Sequence, residues 1–144
     1  MRGRPAVGLP AVKALTLRQP WAWATIYGGK DVENRRWKTR HRGPLLIHAG
    51  MDVDPDRSAS VLKTIADPDV YARPRSAWEA RGAIIGLVFL ADILTDSPSQ
   101  WAIPGWYNWA LEFASPIDPP IPHRGRPGLW VPPPYVVRAL RDIL

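Results

Sequence analysis

The sequence predicts an α+β fold: a small β-barrel of about five to six strands with helices on its flanks. Three observations carry this expectation. Lys13–Arg18 (KALTLR) alternates apolar and polar residues as a half-buried strand does. Gly82–Leu94 (GAIIGLVFLADIL) is a long, β-rich and nearly continuous apolar run, the pattern of a central strand buried on both faces. The helical patterns are not regularly interleaved with the strands, which argues against a doubly wound sheet, and the 17 prolines argue against a helix bundle.

Taken in order, residues 1–12 are Gly/Pro-rich and read as a flexible N-terminal segment. Residues 13–144 read as a single domain, since 144 residues suit one core of ordinary size. After the first strand, Pro20 suits the first position of a two-turn helix, Trp21–Tyr27, which Gly28 and Gly29 end. Asp31–Trp37 reads as a strand with Val32, Asn34 and Arg36 on one face and Glu33, Arg35 and Trp37 on the other. Lys38–Gly43 is a basic connection, and Pro44–Ala49 a short buried strand. Asp54–Ala66 looks helical, its acidic first turn matching the helix dipole. Pro68–Arg75 is a loop, Trp106–Phe113 a strand, Pro116–Pro122 a proline-rich connection and Gly128–Val131 a short strand. Pro133–Leu144 is a terminal helix with Val137, Leu140, Ile143 and Leu144 on one side.

Composition bounds the function. The chain has no cysteine, which removes disulfides, thiolate metal ligands and cysteine nucleophiles together. The lack of cysteine and of any signal-like apolar start points to a cytoplasmic protein. No apolar stretch is long enough to span a bilayer, and the mean hydropathy is −0.20. No membrane partner and no cofactor are expected. The three histidines form no metal-ligand spacing with acidic residues, so no metal is expected either. A monomer is the favoured state.

The net charge is +6, which favours polyanionic partners over a neutral surface. It is unevenly distributed. Between Lys30 and Arg42 six cations face two anions, whereas Asp52–Asp69 holds five aspartates against Arg57 and Lys63. Eight tryptophans are many for this length. Most belong in a core, and some are candidate stacking platforms for bases.

Three segments, and a fourth near the end of the sequence, carry a family resemblance. Arg18-Gln19-Pro20-Trp21-Ala22 is followed by Gly29-Lys30-Asp31-Val32-Glu33-Asn34-Arg35, which together with the preceding Gly28 fits G-x-K-x-x-E-x-R. Arg42-Gly43-Pro44-Leu45-Leu46-Ile47-His48-Ala49 comes next, and Arg126–Val131 closes with Gly-Leu-Trp. Together they resemble the ASCH domain of the PUA-like superfamily, most densely over residues 14–50. The resemblance implies a β-barrel with flanking helices, a cleft floored by the signature, and a role in RNA or modified-nucleotide biology.

The residues point the same way by their own chemistry. Glu33 and Arg35 stand on one face of a strand, about 6.6 Å apart along it. They can pair with each other, and Arg35 can offer its planar fork to a phosphate or a base edge. Lys30 precedes them at a Gly-Gly turn. The bland reading is a structural Lys-Glu-Arg network, and the cations beyond it tip the balance towards binding. Trp37, Lys38, Arg40 and Arg42, with His41, interleave an aromatic with cations, as in a groove that tracks a phosphate backbone. Trp21 and Trp23 are two apart on a short helix, so one belongs in the core and Trp21 lines the cleft. Gln19 either reads a base edge or caps the helix. His48 is expected to be a core or cleft-wall histidine, Trp106, Tyr107 and Trp109 core, and Trp130 core in preference to cleft wall.

The nucleic-acid or nucleotide interface therefore comprises Gln19, Trp21, Lys30, Glu33, Arg35, Trp37, Lys38, Arg40 and Arg42, reading RNA or DNA. The alternative is a small hydrolase. Some proteins resembling this one deacetylate cytidine derivatives and others cleave RNA. The amidohydrolase members have Thr three residues after the lysine, and here that position is Glu33. Lys30 and Glu33 are the candidate catalytic pair for that reading. A base role, however, requires Lys30 to release its proton, and a close glutamate opposes that. Thr25, Tyr27 and Thr39 have no spacing that demands a nucleophile. Binding is therefore ranked above hydrolysis, and a protein-interaction role third.

Overall fold

The computed structural model describes residues 11–54 and 75–143. Its elements are β1 (Lys13–Gln19), α1 (Trp21–Tyr27), β2 (Val32–Arg35), β3 (Gly43–Val53), α2 (Arg75–Trp78), β4 (Ala83–Leu94), β5 (Tyr107–Pro122), β6 (Leu129–Trp130) and α3 (Pro134–Ile143). The six strands form one sheet in the order β2-β5-β4-β3-β1-β6. All neighbouring pairs are antiparallel except β1 and β3. The strand number and flanking helices match the sequence expectation. The ring is left open: β2 and β6 are edges, and no backbone pairing among the described residues joins them.

The period-2 patterns put apolar side chains on both faces of this sheet. Leu15 and Leu17 of β1, Leu45 and Ile47 of β3, and Ile85 of β4 join Trp23 and Ile26 of α1 in the inner core. Ala14, Leu46 and Ile84 face the other way and join Val136 and Leu140 of α3 in a second cluster. α1 lies against β4 because Gly86 has no side chain; a Cβ there would sit 2.4 Å from Ile26 Cδ1. Trp23 is fully buried and meets Trp78 of α2 edge to face, with ring centroids 5.3 Å apart.

Several boundaries differ from expectation for physical reasons. β2 ends at Arg35, so Arg36 and Trp37 leave the sheet before the basic connection begins. β3 runs on to Val53 beside β1. β4 is buried on both faces only in its first half, because the outer cluster reaches no further than Leu87; Phe89, Ala91 and Asp92 are exposed. The proline run Pro116–Pro122 is part of β5 and not a connection. Pairing jumps from Ile84–Ile121 to Gly86–Pro116, so Ile117–Pro120 bulges past a single β4 residue. Proline is tolerated where the ladder is interrupted. The expected helix over 54–66 falls, apart from Asp54, outside the described residues, as does most of the loop before α2.

Candidate nucleic-acid interface

The signature residues form a chain of contacts at the mouth of the open sheet. Lys30 closes the turn after α1, and its Nζ donates to the Val32 carbonyl and to Glu33 Oε1 at 3.1 Å. Glu33 Oε2 lies 3.1 Å from Arg35 Nε, an ion pair off the direction of the N–H bond. Arg35 then reaches across the gap and donates to the Thr16 carbonyl of β1 at 3.3 Å. Where backbone pairing would have closed the ring, this arginine ties β2 to β1. Lys30 is 5% exposed and its ammonium stands 5.5 Å from the centroid of Trp21.

Beside this network lies an open cleft of about 430 Å³. Arg18 of β1, Trp21 of α1, Glu33 and Arg35 of β2, and Arg36, Trp37 and Trp106 line it. Arg36 lies over the ring of Trp106, with its guanidinium carbon 3.8 Å from the centroid. Trp37 stands edge-on to buried Trp109, whose Nε1 donates to the Trp37 carbonyl at 3.2 Å. Asn34 buttresses the wall by bonding the Trp101 carbonyl, the Ile103 amide and Asn108.

The structure thus brings Trp21, Glu33, Arg35 and Trp37 together. Gln19 lies beneath the cleft, not in it. Its Oε1 accepts from the Trp23 amide at 3.0 Å and its Nε2 donates to Ala77 and Ala80 carbonyls, so the amide caps α1 and ties it to α2. That commitment corrects the idea of Gln19 as a base reader. Lys30 and Glu33 satisfy each other. Lys38, Arg40 and Arg42 lie outside the lining; Lys38 approaches Tyr107, and Arg42 bonds the Thr39 and His41 carbonyls and stands 3.6 Å from Asp92.

Sequence reasoning missed Arg18, Arg36 and Trp106. Trp106 was expected in the core, but it is half-buried: it precedes β5, and Arg36 covers one face of its ring. The signal for Arg36 was the end of β2: once the alternation stops, a residue assigned to the opposite face can turn into the cleft. Trp130 is buried in the outer cluster as expected, and its Nε1 donates to Thr16 Oγ1.

His48 on β3 is buried, and its Nε2 lies 2.6 Å from the His123 carbonyl. A carbonyl only accepts, so Nε2 carries the proton; Nδ1 has no partner. Burial pushes its pKa below the usual histidine value of 6.5, the His123 carbonyl opposes that, and the His123 side chain adds to it. Among the described residues no group of His, Asp and Glu is arranged to hold a metal ion, and no helix is long and apolar enough to cross a membrane.

The sequence pattern of the ASCH domain matches residues 15–120. The chain belongs to the ASCH domain family. Activating signal cointegrator 1 of Mus musculus is 31% identical over an alignment of 99 positions that covers 62% of this chain and 16% of that protein. This chain therefore spans a small part of that relative. The crystal structure of ASCH from Zymomonas mobilis superposes with a TM-score of 0.54 at 16% identity, covering 92% of this chain and 94% of the other. At that identity the likeness speaks for the fold.

Proposed function

We propose that this ASCH domain binds nucleic acid, with Arg18, Arg35 and Arg36 holding phosphates and Trp21 and Trp106 offering ring faces to bases. The observation that supports this reading best is the composition of the cleft wall. Among the described residues, three arginines and three tryptophans share it with a single carboxylate, Glu33, which pairs with Lys30 and Arg35. Arginine forks and aromatic faces interleaved along a groove suit a phosphate backbone with unstacked bases. Neutral small molecules have no use for Arg18 and Arg36, the two exposed arginines of this wall that Glu33 does not pair.

The hydrolytic alternative has less to rest on. Lys30 is buried, and its ammonium is committed to the Val32 carbonyl and to Glu33 rather than presented to a substrate. Thr25 Oγ1 donates to the Trp21 carbonyl and is buried within α1. A cysteine-free, polyanion-binding domain also suits a cytoplasmic protein.

The test is quenching of tryptophan fluorescence by single-stranded oligonucleotides at low salt. Saturable quenching is expected for the wild type, with affinity in the micromolar range and at least fivefold weaker for Arg36→Ala. Absence of saturable quenching overturns the binding reading. Chromatography of RNA and of acetylated cytidine after incubation is expected to return both intact, and product formation would restore the hydrolase reading.

A further inference from the structure

A second cleft of about 790 Å³ opens on the other side of Arg35. It shares Thr16 and Arg35 with the first, so the two adjoin at the arginine that ties β2 to β1. Its far wall is the segment His-Arg-Gly-Arg-Pro-Gly, residues 123–128. Arg124 and Arg126 are exposed, and among the described residues no carboxylate lines the cleft. Among the described residues neither arginine has an ion-pair partner.

The segment is firmly seated, although it connects two strands. The His123 amide donates to the Gly82 carbonyl at 3.0 Å, and the His123 carbonyl takes the proton of His48 Nε2. The His123 ring stacks on Trp130 at 5.2 Å and 16°. Gly125 presses so closely on β1 and β3 that a Cβ would lie 2.7 Å from Thr16 Oγ1 and 2.8 Å from His48 Cε1. Gly128 turns the chain with φ of +64°, where a side chain would be strained. The loop is therefore an anchored platform for two unpaired guanidinium groups. Among the described residues, the guanidinium groups that line the cleft are those of Arg35, Arg124 and Arg126.

We propose that residues 123–128 form a second phosphate subsite, and that the two clefts together hold a single-stranded oligonucleotide crossing over Arg35. This rests on the binding function inferred above and specifies its ligand. Each cleft falls within the range of about 300–1,000 Å³ common for small-ligand sites, room for a nucleotide unit on either side. A mononucleotide fills only one. A duplex keeps its bases stacked away from Trp21 and Trp106, so it uses the arginines but not the rings.

The experiment is an affinity series on the full chain with 5′-phosphorylated oligonucleotides of one to six residues, single-stranded and as a duplex. Wild-type affinity is expected to rise at least tenfold between the mononucleotide and the tetramer. Removing both guanidinium contacts in Arg124→Ala/Arg126→Ala should weaken the tetramer by roughly tenfold or more. It should leave the mononucleotide within twofold and reduce the slope of log affinity against log salt by roughly 1.4, at about 0.7 per single-strand phosphate. The single variant Arg126→Glu should show the same pattern with a steeper loss. If both variants keep the wild-type length dependence and salt slope, the subsite is refuted while the first cleft stands. If the duplex binds as tightly as the single strand, the proposed ligand is wrong. If the wild type binds no oligonucleotide of any length, the subsite and the binding function both fall.

Discussion

The basic segment from Lys30 to Arg42 divides into two parts that share a charge sign and little else. Lys30 and Arg35 are held by Glu33, Val32 and Thr16 in a buried or half-buried network. Arg36, Lys38, Arg40 and Arg42 lie beyond the end of β2 and are exposed. The first group builds the mouth of the sheet, and Arg36 from the second completes the cleft. Cations adjacent in sequence therefore differ in burial and in partners according to whether a strand still holds them.

This division predicts separable effects. The largest belongs to the buried network. Glu33→Ala leaves Lys30 and Arg35 without their anion, and should cost about 3 kcal/mol or more of stability by urea denaturation. A change under about 0.5 kcal/mol, the ordinary size for a surface substitution, would show that the network is not structural. Next is Arg36→Ala, where the main loss is in oligonucleotide affinity. Its contact with Trp106 should contribute only about 0.5–1 kcal/mol to stability, as exposed cation–π pairs do. An Arg36→Ala protein that unfolds but binds normally when folded would reverse the assignment.

A smaller effect follows from His48. Its folded-state pKa is lowered, so the unfolded chain takes up a proton first. The contribution of neutral His48 to stability is full above pH 6.5 and is lost as pH falls below that value towards the lowered one. Melting temperatures from pH 7.5 to 5 should fall more in the wild type than in His48→Gln, and equal slopes would contradict the assignment. The smallest effects belong to Arg40→Ala and Arg42→Ala. Each should leave stability within about 0.5 kcal/mol and change affinity less than twofold, since neither lines the cleft. The exposed Arg42–Asp92 pair contributes about 0–1 kcal/mol at most.

Much of this arrangement was legible in the sequence. The alternation of KALTLR and the apolar run from Gly82 placed β1 and β4, because a half-buried and a central strand leave different periods. The spacing of Lys30, Glu33 and Arg35 was enough to foresee their pairing, which is local. Gln19's role as a cap was one of two readings, and only the position of α2, far along the chain, decides between them. Strand character in Pro116–Pro122 was hidden because each proline argues locally against a ladder, and the bulge that accommodates them depends on β4. The second cleft was invisible for a similar reason. Its parts come from β1, β2, β3 and the residues before β6, and Gly125 matters only through contacts with Thr16 and His48.

The central claim is that the wall of arginines and tryptophans beside Arg35 binds the phosphate backbone of a nucleic acid. The most direct measurement is the salt dependence of the affinity for a single-stranded hexamer, compared between wild type and Arg36→Ala. With three or more phosphates held, the wild-type slope of log affinity against log salt should be about −2 or steeper, and Arg36→Ala should be shallower by about 0.7. A flat wild-type response, or a slope unchanged by Arg36→Ala, would contradict the claim.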